Sequence, residues 1–251
     1  MVYRIILFLL IVVVIIISFL LKYFFLANNT DDFKKVTIVT KDGFSIIGNY
    51  YYQPNSKFAG ILVHMRPATK ESWHRFALAL KQEGFSVLAI DLRGHGESKL
   101  SPKGSVSYED FNEEEEKLSI NDIEAASVFL EKEGFFKDKQ FYIGASIGAN
   151  LGFQFLSENP SLKAAILFSP GINYRGIALE RFKKDNLNKK ILVISALDDQ
   201  QAIEGSRLLK SWYSNVEYWE YSSGGHGTQL LENNQELAGK IINWLRTVMV
   251  E

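Results

Sequence analysis

Gly144-Ala145-Ser146-Ile147-Gly148 lies between two differently patterned segments. Before it, Gln140-Phe141-Tyr142-Ile143 is apolar and β-prone; after it, residues 149–156 carry apolar side chains at helical spacing. The pattern predicts a serine on a sharp turn between a strand and a helix. In such a turn the serine backbone is strained, and the residues two before and two after it crowd together, so glycine is needed at both places. Gly144 and Gly148 meet that need. The same five residues would also suit a Gly/Ser-rich turn of a nucleotide-binding βαβ unit, so the remainder of the chain has to decide.

Outward from this turn, five strongly apolar runs (59–65, 85–90, 140–143, 164–168 and 191–194) and a less apolar sixth (216–221) are separated by helical patterns. The helical patterns cover 72–82, 113–133, 147–157, 174–184, 203–214 and 234–247. Continuous apolar strands alternating with amphipathic helices predict a mostly parallel sheet covered on both faces, a three-layer α/β sandwich. Ahead of it, residues 36–39 and 44–52, joined by Asp42-Gly43 and closed by Pro54, read as an antiparallel hairpin. Between Pro170 and Lys190 there is room for one short helix and two loops, hence only a minimal lid. The run Glu113 to Glu116 suits a solvated first helical turn, where carboxylates complement the helix dipole.

Residues 5–21 are uncharged and almost wholly aliphatic, interrupted only by Ser18. A helix of that length nearly spans a ~30 Å hydrocarbon core, and Lys22 with Tyr23-Phe24-Phe25-Leu26 extends it to the interface. The stretch is longer than the usual signal-peptide core and lacks the small residue two before Ala27. The expected organisation is therefore a transmembrane anchor over 1–27, a polar linker over 28–35 and an α/β domain over 36–251. That makes the membrane a partner and the protein single-pass. Arg4 on one side and Lys22, Lys34, Lys35 and Lys41 on the other leave the side of the domain open.

The 251 residues, 47% hydrophobic with a formal net charge of -1, can bury one good-sized core. A near-neutral balance argues against nucleic acid as a partner. There is no cysteine, and histidine occurs only at 64, 74, 95 and 226, which disfavours thiolate or histidine-rich metal centres.

In an open α/β sheet, ligands collect outside the carboxyl ends of the strands. The groups that follow the apolar runs are His64-Met65-Arg66-Pro67, Asp91 to Ser98, Ser146, Asp198-Asp199 and Gly225-His226-Gly227. A serine hydroxyl needs a neutral imidazole to take its proton, and a carboxylate to orient that imidazole. Ser146, an aspartate and His226 follow in that order. His226, in a glycine-flanked loop, is the base candidate; His64 suits a brace for its own loop, and His74 and His95 suit structural or surface roles. Adjacent residues of an extended segment point in opposite directions, so only one of Asp198 and Asp199 can face His226.

These residues together resemble the α/β-hydrolase fold superfamily, in particular small serine hydrolases of the esterase and serine-aminopeptidase-like group, over residue 36 to the carboxyl end. The resemblance rests on Asp91-Leu92-Arg93-Gly94-His95-Gly96-Glu97-Ser98 for D-x-R-G-H-G-x-S, on the Ser146 elbow, on Ala196-Leu197-Asp198-Asp199 for G-x-x-D, and on Gly225-His226-Gly227. Met65 and Ala196 stand where the family has glycine. The resemblance implies Asp199 as the acid, and the backbone N–H groups of Ile147 and Arg66 as the oxyanion hole. It also implies a serine hydrolase of carboxylic esters, including lipid-derived esters or thioesters, that acylates Ser146 and needs no cofactor. The alternatives are a peptidase or amidase on small substrates, and a non-catalytic membrane-tethered binding module. Trp73, Trp212, Trp219 and Tyr174 fit either an acyl pocket or core and surface cover, while Arg175, Arg181, Lys183 and Lys184 read as a solvated basic helix face.

Overall fold

The structure, a computed structural model, describes residues 32–185 and 187–250. The expected anchor, and the linker as far as residue 31, lie outside the described residues. Among the described residues no helix is long and apolar enough to cross a membrane.

The chain enters through β1 (Lys34–Val39) and β2 (Ser45–Tyr51), which pair antiparallel across the Asp42-Gly43 turn as the sequence predicts. β3 (Ala59–Val63), helix α1 (His74–Gln82) and β4 (Ser86–Ile90) follow. Two short strands, β5 (Leu100–Ser101) and β6 (Gly104–Ser105), precede α2 (Glu113–Lys117) and α3 (Ile120–Lys132). Then come β7 (Gln140–Ala145), α4 (Ile147–Glu158), β8 (Ala164–Phe168), and a small hairpin of β9 (Asn173–Tyr174) and β10 (Ile177–Ala178). β11 (Lys190–Ala196), α5 (Gln200–Trp212), β12 (Val216–Tyr221), α6 (Gln229–Asn233) and α7 (Leu237–Val250) complete the domain.

The main sheet runs β12-β11-β8-β7-β3-β4-β2, with β1 and β5 both paired to β2. From β4 to β12 every pairing is parallel, whereas β2 runs antiparallel to β4. β3, β4, β7 and β8 are buried along their whole length. That is the reason these runs lack polar alternation: both sheet faces are covered by helices. Trp73, offered as an acyl-pocket candidate, is a fully buried core residue set edge-on against Phe168.

Two helical expectations are corrected. Residues 113–133 form two helices, because α2, opened by a capping box between Asn112 and Glu115, ends at Leu118 before α3 begins. Glu113, Glu114 and Glu115 are solvated, but Glu116 is 1% exposed. Residues 174–184 are not a helix: they form the β9–β10 hairpin and a 3-10 turn over Leu179–Phe182. Arg175 and Gly176 both take positive φ, 52° and 81°, which no right-handed helix accepts. The buried side chain of Asn150, on α4, holds this segment down by donating to the carbonyls of Gly171 and Ile177 and accepting from Gly171 N–H.

The loops at the carboxyl ends of β3 and β4 are fixed by buried charges. Lys70 Nζ sits 2.7 Å from Asp91 Oδ2 and 2.8 Å from Glu97 Oε2, and Asp91 also accepts from the backbone of Lys70 and Glu97. Arg93, 1% exposed, donates through Nε and Nη2 to Asp122 and through Nη1 and Nη2 to Asp42, joining the β1–β2 turn to α3. Burial disfavours the charged guanidinium, yet the two carboxylates outweigh it and raise its pKa. Removing it would strand both carboxylates, one fully buried. Arg93→Met should therefore cost about 3–5 kcal/mol in urea unfolding, whereas Lys35→Met, which breaks a half-exposed pair with Glu97, should cost less than about 1 kcal/mol. Equal losses in the two variants would contradict this account of the loops.

Candidate active site

Ser146 occupies the turn between β7 and α4 with φ 56° and ψ -117°. A non-glycine residue held there stores about 1–3 kcal/mol of backbone strain. The crowding predicted around it is present. A Cβ added to Gly144 would strike the Gly148 carbonyl, and one added to Gly148 would lie 2.6 Å from Val63 O and 2.9 Å from His64 O. Ser146 N–H donates to Phe168 O at 2.8 Å, and the Ser146 carbonyl accepts from Ala149 and Asn150, so the turn is tied to β8 and to the first turn of α4. From beneath, Tyr142 donates to Gly148 O at 2.6 Å.

At the ends of β11 and β12, the adjacent aspartates are separated by their partners. Asp198 accepts from Gly224 and Gly225 N–H and braces the loop. Asp199 Oδ2 lies 2.6 Å from His226 Nδ1, with the two side chains 12% and 33% exposed. Burial pushes the Asp199 carboxyl up, but the hydrogen bond and charge interaction with His226, helped by the Ser169 hydroxyl, prevail and hold it below the usual value. An ionised Asp199 accepts from Nδ1–H, which leaves the Nε2 lone pair of His226 unprotonated and available. The His226 loop is pinned by Gly227 N–H donating to Ser169 Oγ at 2.9 Å and by His226 N–H donating to Gln229 Oε1 at 2.9 Å.

Met65, in place of the family glycine, packs against this loop. A Cβ on Gly227 would meet its sulfur at 2.6 Å, so the bulk at position 65 is accommodated by the missing side chain at 227. The preceding residue, His64, is wholly buried. Its Nε2 accepts from Leu92 N–H at 3.0 Å, and its Nδ1 therefore donates to Met65 O at 2.9 Å. Burial lowers its pKa and keeps it neutral. His64 thus braces its own loop, as expected. His95 is structural too, stacked on Tyr108 with ring centroids 4.0 Å apart, and burial lowers its pKa to about 3.

Ser146, Ile147 and Arg66 line one open cleft of about 540 Å³ together with Pro67, Tyr108, Glu109, Tyr174 and Arg175. Larger concavity elsewhere, about 980 Å³ beside Trp219 and Trp244, is remote from these groups. Tyr174 connects the set: its ring meets the His226 ring edge-on at 6.1 Å, and its pKa is pushed up to about 12 by burial and the Asp199 charge, with the Ser146 hydroxyl opposing. Its own hydroxyl is buried and lacks a hydrogen-bond partner of good geometry. Arg175 reaches the cleft from the hairpin turn and not from a helix face. The supporting roles of Ser169, Glu116 and Arg175 are invisible to strand-end reasoning, because each depends on a loop conformation with positive φ or on a side chain at a helix break.

Residues 57–215, more than half of the chain, match the family described as serine aminopeptidase, S33. No curated protein sequence matches. Among solved structures, an esterase from Pyrococcus furiosus is 20% identical, with 86% of this chain and 93% of that chain covered and a TM-score of 0.66. A dienelactone hydrolase from Anabaena variabilis is 14% identical, covering 87% and 99% with a TM-score of 0.68. An esterase domain from a Rhodothermus marinus protein is 16% identical, covering 86% and 99% with a TM-score of 0.64. At these identities the likeness concerns the fold, an α/β-hydrolase sandwich. The elbow, the strand order and the family match converge, and the chain belongs to the serine aminopeptidase S33 family of α/β-fold hydrolases.

Proposed function

We propose that the chain is a serine hydrolase of carboxylic esters that works through an acyl-enzyme on Ser146, with His226 as general base, Asp199 as its orienting acid, and the N–H groups of Ile147 and Arg66 as oxyanion donors. The observation that carries this reading is the 2.6 Å hydrogen bond from Asp199 to His226 beside a strained serine at the start of a helix. In the reaction, His226 Nε2 takes the Ser146 proton as Oγ bonds to the ester carbon. The carbonyl π electrons move onto oxygen, where the two N–H groups and the positive end of α4 meet the charge. Each such donor is worth about 3 kcal/mol. Collapse re-forms the carbonyl and expels the alkoxide, which takes the proton from His226. Water, deprotonated by the same imidazole, then attacks the acyl-enzyme and frees the acid and Ser146. Ester chemistry is favoured by the names of the similar structures, two esterases and a dienelactone hydrolase. Cleavage of small amides is the second reading, favoured by the family's description as serine aminopeptidase.

Labelling by a fluorophosphonate probe tests this assignment. Wild type should label, Ser146→Ala and His226→Ala should not, and Asp199→Asn should label orders of magnitude more slowly while Asp198→Asn labels near the wild-type rate. Folded wild type that fails to label would leave a non-catalytic binding module of this fold. Paired 4-nitrophenyl esters and aminoacyl-nitroanilides then separate esterase from peptidase.

We further propose that residues 1–27 anchor the protein in a membrane as a single span and that 28–35 link it to the hydrolase domain over 36–251. The aliphatic run at 5–21 supports this. Deleting the residues before Asn28 should move the protein from the membrane fraction to the soluble fraction with turnover retained. Persistence in the membrane fraction would refute the anchor.

A further inference from the structure

The β9–β10 hairpin has a two-residue turn, Arg175-Gly176, set by the pairing of Tyr174 with Ile177. Both turn residues have positive φ, 52° and 81°, as a type I′ turn requires. The first position of such a turn favours asparagine, aspartate or glycine, and arginine is strained there. Strain of this kind gathers at functional positions. What the arginine gains is a place at the cleft of Ser146.

There it faces a second guanidinium across one carboxylate. Arg175 Nε lies 3.4 Å and Arg66 Nε 3.2 Å from the same oxygen, Glu116 Oε1. Arg175 Nη2 donates to Phe111 O and Arg66 Nη2 to Tyr108 O, which fixes both forks. Glu116 is 1% exposed, while the two arginine side chains are 42% and 25% exposed. Two cations thus share one covered carboxylate, leaving a positive excess on the wet side, opposed among the cleft residues by the exposed Glu109. Next to them the buried Tyr174 hydroxyl still lacks a hydrogen-bond partner. Guanidinium forks and a phenol are the donors that receive a carboxylate.

We infer that the 173–178 hairpin selects esters that carry a carboxylate in addition to the scissile bond, with Arg175 and Arg66 receiving the anion and Tyr174 donating to the bound substrate. This rests on Ser146 as the nucleophile of the same cleft.

Two matched pairs of substrates test it: 4-acetoxybenzoate against its methyl ester places the charge on the leaving group, and monomethyl adipate against dimethyl adipate places it on the acyl side. In at least one pair the anionic ester should have a kcat/KM about tenfold higher, mainly through KM, and the advantage should shrink in high salt. Arg175→Asn removes the guanidinium and supplies the residue the turn prefers. It should abolish the preference while the Tm stays level or rises. No preference in either pair, or a preference that survives Arg175→Asn, overturns the inference. Ser146→Ala separates the two levels: if it stops turnover of all four esters and wild type shows no preference, only the inference falls. Turnover that persists in Ser146→Ala removes the reading of the cleft on which it rests.

Discussion

The close approach of α4 to the end of β3 sets the terms for the rest of the molecule. Gly148 presses its Cα against the carbonyls of Val63 and His64, and Gly144 presses against Gly148, so Ser146 is left no relaxed conformation and stands at φ 56°. Strain of this order, about 1–3 kcal/mol, persists only where the surroundings over-determine it. Here the surroundings are the buried strand β7, the Ser146 bond to Phe168 and the Tyr142 brace under Gly148. The serine is thereby held at the carboxyl end of the sheet with the helix N-terminus directly behind it.

The same approach explains why the neighbouring loops need buried charge. A loop that follows β3 and lies against α4 leaves little apolar surface to pack, so polar bonds fix it instead. His64 is held neutral between Leu92 and Met65, Lys70 is lashed to Asp91, and Arg93 joins two separate segments through Asp42 and Asp122. These groups do not take part in the proposed chemistry. They carry the Arg66 loop at a fixed height beside Ser146, and a preorganised donor is useful only if it does not have to reorganise when charge develops.

Much of this was legible in the sequence, for identifiable reasons. Strands buried on both faces announce themselves as continuous apolar runs, and the serine, acid and histidine follow strand ends whose order a parallel sheet fixes. The choice between Asp198 and Asp199 was not legible from the residues alone, because the two-residue period says that they diverge but not which way. The contacts of Asp198 with Gly224 and Gly225 and of Asp199 with His226 decide their directions. The segment 174–184 misled because its apolar spacing suits a helix, while the deciding feature is a positive φ at Arg175, a residue type that does not signal one. Glu116 misled in the same way. Four consecutive glutamates read as solvated, and only the end of α2 at Leu118 and the two arginines meeting there turn one of them inward.

The central claim is that Ser146 becomes acylated, and trapping the adduct tests it directly. Enzyme mixed with 4-nitrophenyl acetate, quenched in acid at successive short times and analysed by mass spectrometry of the intact protein and its peptides, should carry one acetyl group, on the peptide containing Ser146. Its appearance should match the first release of nitrophenolate, and Ser146→Ala should carry none. Nitrophenolate release with no adduct at any quench time, or with the acetyl group on another residue and equally in Ser146→Ala, would contradict the account.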